Sequence, residues 1–484
     1  MPSRRLGWAW VSGVVALTVA TAAEPRLAAL VVAAAITITV WFRPGASLKV
    51  LSFAVLAIRP SLDIFSERRL GLGPFAANPD VILGLLILLV AMVLAIRRAR
   101  DGQPVWPDRQ LWHAHMWLLI AYGFAFAAGW RWYGTYGGAV GVREAIRMAS
   151  VIAAFLVVLW WVNESRDKNR AGWRYLLLGT GAPIAVAVWQ FVTGRGNRDI
   201  EWLNRLQGTF AHPNTLGPYL VPFILLAIAG VRTADRRGRV LRIVAAAALS
   251  VLVALTYSRT AILVLVTGML MIPVLQLRRL GWRALTGSAS AALVFALLGW
   301  LLVGSMIRER FSDLRISSEA FQAARTGEAE NSLEWRLMNW GVLVAVGLEH
   351  PLVGHGAGMT TELNPIVNSD TGLPYNAHND FVRFFFEGGL LGLLAYLVYG
   401  VLLCRWALIA ARLAEPRDAP GAYAVAAALF ALFFLTAGTP EFGQQTAIQY
   451  EIYGMLALMT GVRQMDGATH SANDMTAAPR TETS

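Results

Sequence analysis

The chain has 484 residues, of which 56% are hydrophobic and 15% charged, and its mean hydropathy is +0.51. That composition excludes a soluble globular domain of this length and describes an integral membrane protein; without alternating hydrophobicity it excludes a β-barrel as well. The net charge of +12 argues for arginines that orient membrane spans, with some left for an anionic substrate, and against nucleic acid as a partner.

Apolar segments able to cross about 30 Å of hydrocarbon at about 1.5 Å per residue fall at 8–23, 27–42, 48–58, 80–97, 112–130, 144–162, 173–193, 214–231, 240–257, 260–277, 284–305, 388–410, 420–438 and 444–462. They predict an all-α polytopic membrane protein with about 12–14 transmembrane helices. The first segment, with Arg4 and Arg5 before it and Ala20-Thr21-Ala22 at its end, has the layout of a cleavable signal peptide. A second span following almost at once favours an uncleaved helix instead. The third segment is short and ends at Arg59-Pro60, which predicts a tilted or broken helix. Cys404 is the only cysteine and lies in an apolar segment, so neither an intrachain disulfide nor a thiolate metal cluster is available.

Placing the N-terminus in the cytoplasm puts "RRAR", "ESRDKNRAGWR", "RTADRRGRVLR", "LRRLGWR" and "ARLAEPRD" in or around inside loops, together with Lys49 and Lys168, as the positive-inside rule demands. The chain then divides into transmembrane helices over 1–305, a large extracytoplasmic loop with catalytic residues over 306–387, C-terminal transmembrane helices over 388–465 and a polar, disordered cytoplasmic tail over 466–484. Inside the long loop, Leu333, Leu337, Trp340 and Val344 recur at helical spacing and predict an amphipathic helix from Ser332 to Leu348.

The chemically informative residues are external arginines: Arg205 in "NRLQGTFAHPN", Arg259 in "YSRTAIL", Arg336 on the amphipathic helix and Arg383 in the first turn after the long loop. A guanidinium is a planar fork of donors that matches phosphate oxygens two at a time, so several together would hold a diphosphate without a metal. Pairing with a carboxylate or a lipid headgroup is the plain alternative for each. It is weakest for Arg259, whose charge sits in a tight turn between apolar runs. His378 in "YNAHNDFVRFFFEGG" stands at a helix entrance, where an imidazole can take a proton from a hydroxyl nucleophile. Asn376 or Asn379 is the expected N-cap, and Asn379, Arg383 and Glu387 share one face at four-residue spacing. A capped helix with an Arg/Glu pair and a surface histidine reads from the same residues. His212, His350 and His355 read as loop-packing residues, and His113 and His115 as residues of the inner interface. Asp199-Ile200-Glu201 is an acidic pair that lies beside Arg198 and Arg205 and is more simply salt-bridged than metal-binding, so no metal and no cofactor is expected. Walker A, G-x-S-x-G and Rossmann motifs are absent from the sequence.

In order along the chain, "RLQGTFAHPNTLGPYL", "SRTAILVLV", "EWRLMNWGVLVAVGLEHPLVGHGAG" and "HNDFVRFFFEGGLLGLL" resemble the bacterial O-antigen ligase and O-antigen polymerase (Wzy-type) membrane proteins. The likeness covers the second half closely and the first half in topology. It implies a GT-C-like fold in the bacterial cytoplasmic membrane. It also implies metal-independent transfer of a glycan from an undecaprenyl-diphosphate donor to an acceptor hydroxyl at the extracytoplasmic face. By motif position it implies that Arg205, Arg259 and Arg336 grip the diphosphate with Arg383, that His378 activates the acceptor, and that Asn214, Asn379 and Glu387 support them. Fourteen apparent spans lean toward a polymerase. A transporter for an anionic solute or a lipid-linked glycan is the competing class; it predicts charged or broken helices at mid-membrane, whereas these polar groups sit at the external ends of spans.

Overall fold

In the computed structural model, the apolar runs become helices whose backbone groups bond within each segment, as a lipid environment requires. The structure describes residues 25–65, 70–72, 75–77, 79–106, 108–197, 204–277, 332–367, 374–435, 442–443 and 445–460. The predicted segments 8–23 and 284–305, the pair Asp199 and Glu201, and the tail fall outside them. We label the main helices α1 (Pro25–Phe42), α2 (Pro44–Phe53), α3 (Pro79–Arg100), α4 (Arg109–Val162), α5 (Arg166–Gly179), α6 (Gly181–Thr193), α7 (Pro213–Gly230), α8 (Arg236–Leu255), α9 (Arg259–Leu277), α10 (Ser332–Gly347), α11 (Asp380–Leu413), α12 (Ala419–Phe434) and α13 (446–460). A small antiparallel hairpin pairs Leu70–Leu72 with Phe75–Ala77.

Among the described residues, seven helical stretches are long and apolar enough to cross a membrane. Fewer appear than the fourteen predicted segments partly because two predicted spans merge in α4. At Gly134 the backbone takes φ 58° and ψ −136°, a conformation that only glycine adopts without strain, and the chain turns back on itself. A Cβ added at Gly141 would lie 2.8 Å from the ring of Phe126, although fifteen residues of straight helix would separate the two by about 22 Å. Gly137 and Gly138 likewise meet Gly129 and Trp130 too closely for any side chain. The limbs on either side of Gly134 therefore coincide with the predicted segments 112–130 and 144–162.

The short third segment is a continuous helix rather than a broken one: α2 runs into a π-helical turn, Ala54–Ile58, and on through Arg59–Leu62. Pro60 has no N–H for the carbonyl four residues back, and the wider turn absorbs that loss. Arg59 is buried there, bonded to Asp63 at 2.6 Å and to Thr446 of α13 at 2.7 Å. At the centre of the bundle α12 is buried on nearly every side, consistent with a sequence apolar all round. By contrast Leu241, Ile243 and Val244 of α8 and Phe191 and Val192 of α6 stay exposed, an outward face suited to lipid tails. His115 corrects an expectation: it is fully buried among Trp106, Phe155, Tyr399 and Tyr453 rather than at an interface.

The two ends of the bundle differ. Trp406 bonds Asp108 at 3.0 Å and Arg166 pairs with Glu415 at 3.4 Å at the end that carries the arginine-rich connections. The opposite end gathers the Gly134 reversal, the 204–213 loop, the α8–α9 turn, α10 and residues 350–367 and 374–379, tied by Trp132 to Gly354, Arg205 to Thr256, and Thr215 to Gln445.

Candidate active site

The site is organised by a second reversal. Within α11, Gly389 takes φ 62° and ψ −161° and folds the first nine residues back along the rest. The Phe384 ring stacks on Tyr396 at 3.8 Å, and the Tyr396 hydroxyl donates to Asp380 Oδ2 at 3.0 Å; in a straight helix those sixteen residues would span about 24 Å. Four backbone groups flanking the break are taken by one loop. Leu390 and Leu391 N–H donate to the carbonyls of Pro351 and Leu352, while His355 and Gly356 N–H donate to the carbonyls of Phe386 and Glu387, at 2.8–3.2 Å. Arg383 therefore stands on a short re-entrant helix ahead of the long span, not in the first turn of that span. Asn379, not Asn376, is its N-cap, with Oδ1 accepting from Phe381 N–H at 2.9 Å and Val382 N–H at 3.3 Å.

Beneath this helix lies a buried ion cluster. Arg383 donates to Glu387 at 3.0 and 3.3 Å, to Glu144 at 3.0 Å and to the Gly443 carbonyl at 3.3 Å. Arg147 donates to Glu144 at 2.6 Å and to the same carbonyl at 3.1 Å. Thr360 donates to Glu387 at 3.0 Å, and the Gly443 N–H donates to Asp380 at 2.7 Å. The cluster clamps Gly443 of the α12–α13 connection, the second limb of α4 and the first limb of α11 around a guanidinium only 1% exposed. The four-residue spacing of Arg383 and Glu387 was readable from sequence, but Glu144, Arg147 and Gly443 come from remote segments. Arg383 is thus engaged by protein carboxylates on the buried side of the helix.

His378 precedes that helix in a left-handed conformation, φ 52°, one of two non-glycine residues with positive φ among the described residues. Such strain, costing on the order of 1–3 kcal/mol, persists only where surroundings enforce it. Here α10 does the enforcing: Trp340 donates to Ala377 O at 2.8 Å, Asn339 donates to Asn376 O at 2.9 Å, and Trp335 sits edge-on to the His378 ring at 5.5 Å. Asn364 closes the arrangement by donating to both Asn339 Oδ1 and Tyr375 O at 2.8 Å. The buried face of α10 is consequently Glu334, Asn339 and Leu343, while Val344 of the predicted apolar stripe is exposed; a loop backbone needing donors took the place of an apolar partner. Burial, and then the charges of Arg336 and His212, push the His378 imidazole down to about 3. It is neutral near pH 7.

A third group forms where α7 begins. Arg205 is buried, its Nε donating to Thr256 O at 3.0 Å and its Nη2 to Asn214 Oδ1 at 2.8 Å. Gln190 of α6 pins the loop by accepting from Gln207 and Gly208 N–H at 3.0 and 2.9 Å. The Arg205 bond to Thr256 ties it to the α8–α9 turn, where Tyr257 is the other residue with positive φ, at 51°; Arg259, half-buried, opens α9 two residues later. His212 is the N-cap of α7, its Nδ1 accepting the Asn214 N–H at 3.0 Å. Arg205, Asn214 and the turn bearing Arg259 thus meet at α7, while Arg336 and His212 bear on His378. His212 was expected to be a loop-packing residue, and the His-Pro-Asn run, with proline at the first helical position, was the available signal. His355 does pack as expected, stacked on Phe386 and bonded to Tyr133 and Val346 O.

No curated protein matches the chain significantly. Residues 244–397, about a third of the sequence, match the family described as O-antigen ligase (Wzy_C). That stretch starts within α8 and ends on the long limb of α11, so it contains Arg259, Arg336, His378, Arg383 and Glu387, whereas Arg205, His212 and Asn214 precede it. An all-helical bundle with seven candidate spans among the described residues makes the chain a multi-pass membrane protein, and its residues 244–397 are similar to the O-antigen ligase family.

Proposed function

We propose that the chain transfers a glycan from an undecaprenyl-diphosphate donor to an acceptor hydroxyl at the extracytoplasmic face of the bacterial cytoplasmic membrane. The observation that carries this reading is the left-handed His378, held by α10 through Asn339 and Trp340 with Trp335 edge-on to its ring, at the end of the bundle opposite its arginine-rich connections. A polyprenyl tail lies in lipid and its diphosphate at the surface, so a site at the mouth of the helices suits both parts.

Breaking the anomeric C–O bond creates an oxocarbenium-like centre and a diphosphate leaving group. Arg205, Arg259 and Arg336 stabilise that developing charge, each worth about 2–4 kcal/mol or about 10²- to 10³-fold in rate. His378 takes the proton of the acceptor hydroxyl as its oxygen attacks. In the resting protein its imidazole is neutral but a weak base. A diphosphate beside Arg336 offsets that cation and strengthens the base when the donor is bound. Arg383, committed to Glu387 and Glu144, braces the helix that follows His378, and Asn379 and Asn214 hold His378's helix and Arg205 in place.

The test supplies purified protein with lipid-linked glycan and, in parallel, a second lipid-linked repeat unit, a lipid anchor or a protein hydroxyl; the acceptor that shifts separates polymerase, ligase and protein-glycosylating outcomes. Unchanged turnover in His378→Ala would remove the histidine from the chemistry. Saturable solute flux in proteoliposomes, indifferent to Arg259→Ala, would replace transfer by transport.

A further inference from the structure

Resting on that reading, we propose that Trp335 and Tyr375 form a sugar-stacking wall beside His378, so that the acceptor hydroxyl is carried on a pyranose ring and not on a protein side chain. The first support is position. The Trp335 ring lies 5.5 Å from the His378 ring and 4.8 Å from the Tyr375 ring. An acceptor oxygen within hydrogen-bond reach of that imidazole brings the group that carries it against these two side chains.

The second support is that neither ring is used to hold the fold. α10 is fixed to the residues before His378 by Asn339 and by the indole of Trp340, which donate to Asn376 O at 2.9 Å and Ala377 O at 2.8 Å. Tyr375 is fixed through its backbone, its N–H donating to Ile366 O at 3.0 Å and its carbonyl accepting from Asn364 at 2.8 Å. Among the described residues, the Trp335 indole N–H and the Tyr375 hydroxyl have no hydrogen-bond partner. Both residues are partly exposed, and neither belongs to the hydrophobic clusters of the bundle. The third support is chemical. The rings meet at 67° and 69°, so neither neighbour lies flat over the indole, and each side chain offers an apolar face with one polar atom at its rim. A pyranose has the same make-up, C–H groups on a face and hydroxyls around the edge, whereas a serine or threonine side chain has no such face.

A cover that merely shields His378 from water needs apolar bulk alone, and that difference gives the test. Trp335→Phe, Trp335→Leu, Tyr375→Phe and Tyr375→Leu are made in the full chain. Each is assayed with lipid-linked donor and three acceptors: a lipid-linked repeat unit, a lipid-borne oligosaccharide and a peptide bearing serine and threonine. Stacking predicts that either leucine variant raises the KM for the saccharide acceptor about 3- to 10-fold, while kcat, donor KM, the pH–rate profile and the melting temperature stay as in wild type. The phenylalanine variants, which keep an aromatic face, recover most of that loss. Leucine variants as good as phenylalanine ones, or a loss confined to kcat and the pH profile, would overturn the proposal and leave the rings a cover. A loss confined to donor KM, or wild-type transfer to the peptide and to neither saccharide, would overturn it as well. Absence of transfer by the wild-type protein with every acceptor would instead overturn the functional reading on which it rests.

Discussion

Replacing Arg383 by methionine removes four contacts at once: two to Glu387, one to Glu144 and one to the Gly443 carbonyl. The consequences are unequal. Glu144 keeps Arg147 at 2.6 Å and the Gly443 carbonyl keeps the same arginine at 3.1 Å. Glu387, 2% exposed, keeps only the Thr360 hydroxyl at 3.0 Å. A stranded buried carboxylate of that kind costs about 3–5 kcal/mol. The double variant Arg383→Met/Glu387→Met strands no charge and loses mainly the hydrogen bond of Thr360, about 1–2 kcal/mol. The second substitution should therefore restore roughly 2 kcal/mol, making the double variant more stable than the single one. Unfolding in detergent micelles, followed by tryptophan fluorescence, ranks the three proteins. A double variant less stable than Arg383→Met, or a single variant within about 1 kcal/mol of wild type, would refute the view that this cluster holds the re-entrant helix through charge.

Gly389→Ala puts a Cβ into the Leu352 backbone at a positive φ, so we expect loss of folded protein in membrane extracts, while the exposed Gly45→Ala, which meets nothing, behaves as wild type. Arg205→Lys keeps the charge but cannot reach Thr256 O and Asn214 Oδ1 together; transfer should fall about 10²-fold with little change in melting temperature. For His378 the folded site rejects a proton down to about pH 3 that the unfolded chain accepts below about 6.5. The unfolded state then binds more protons across that window, so stability drops as pH falls through it and is indifferent to this residue above it. The wild-type melting temperature should decline more on acidification from pH 6.5 to 4 than that of His378→Gln. Asn379→Asp should retain the cap and Asn379→Ala lose about 1 kcal/mol, read from the same unfolding curves.

The sequence by itself determined that the chain is a helical membrane protein and where several of its spans lie. The reason is local: lipid demands about twenty apolar residues whose backbone groups bond within their own segment. Segments 112–130 and 144–162, the two limbs of α4 on either side of Gly134, could be told apart on that ground alone. Asn379 as cap and Arg383 with Glu387 as a pair were legible for the same reason, being contacts at most four residues apart.

Only the tertiary structure decided the rest. The predicted span starts at 388, but the reversal at Gly389 depends on residues 351–356, which the chain brings back from another segment to bond the backbone on either side of it. Glu144 and Arg383 meet across 239 positions, and no local pattern predicts a pair of that separation. His212 read as a packing residue until the structure showed it capping α7. Spans follow from the solvent each segment must satisfy alone; a site follows from which distant segments share the same few ångströms.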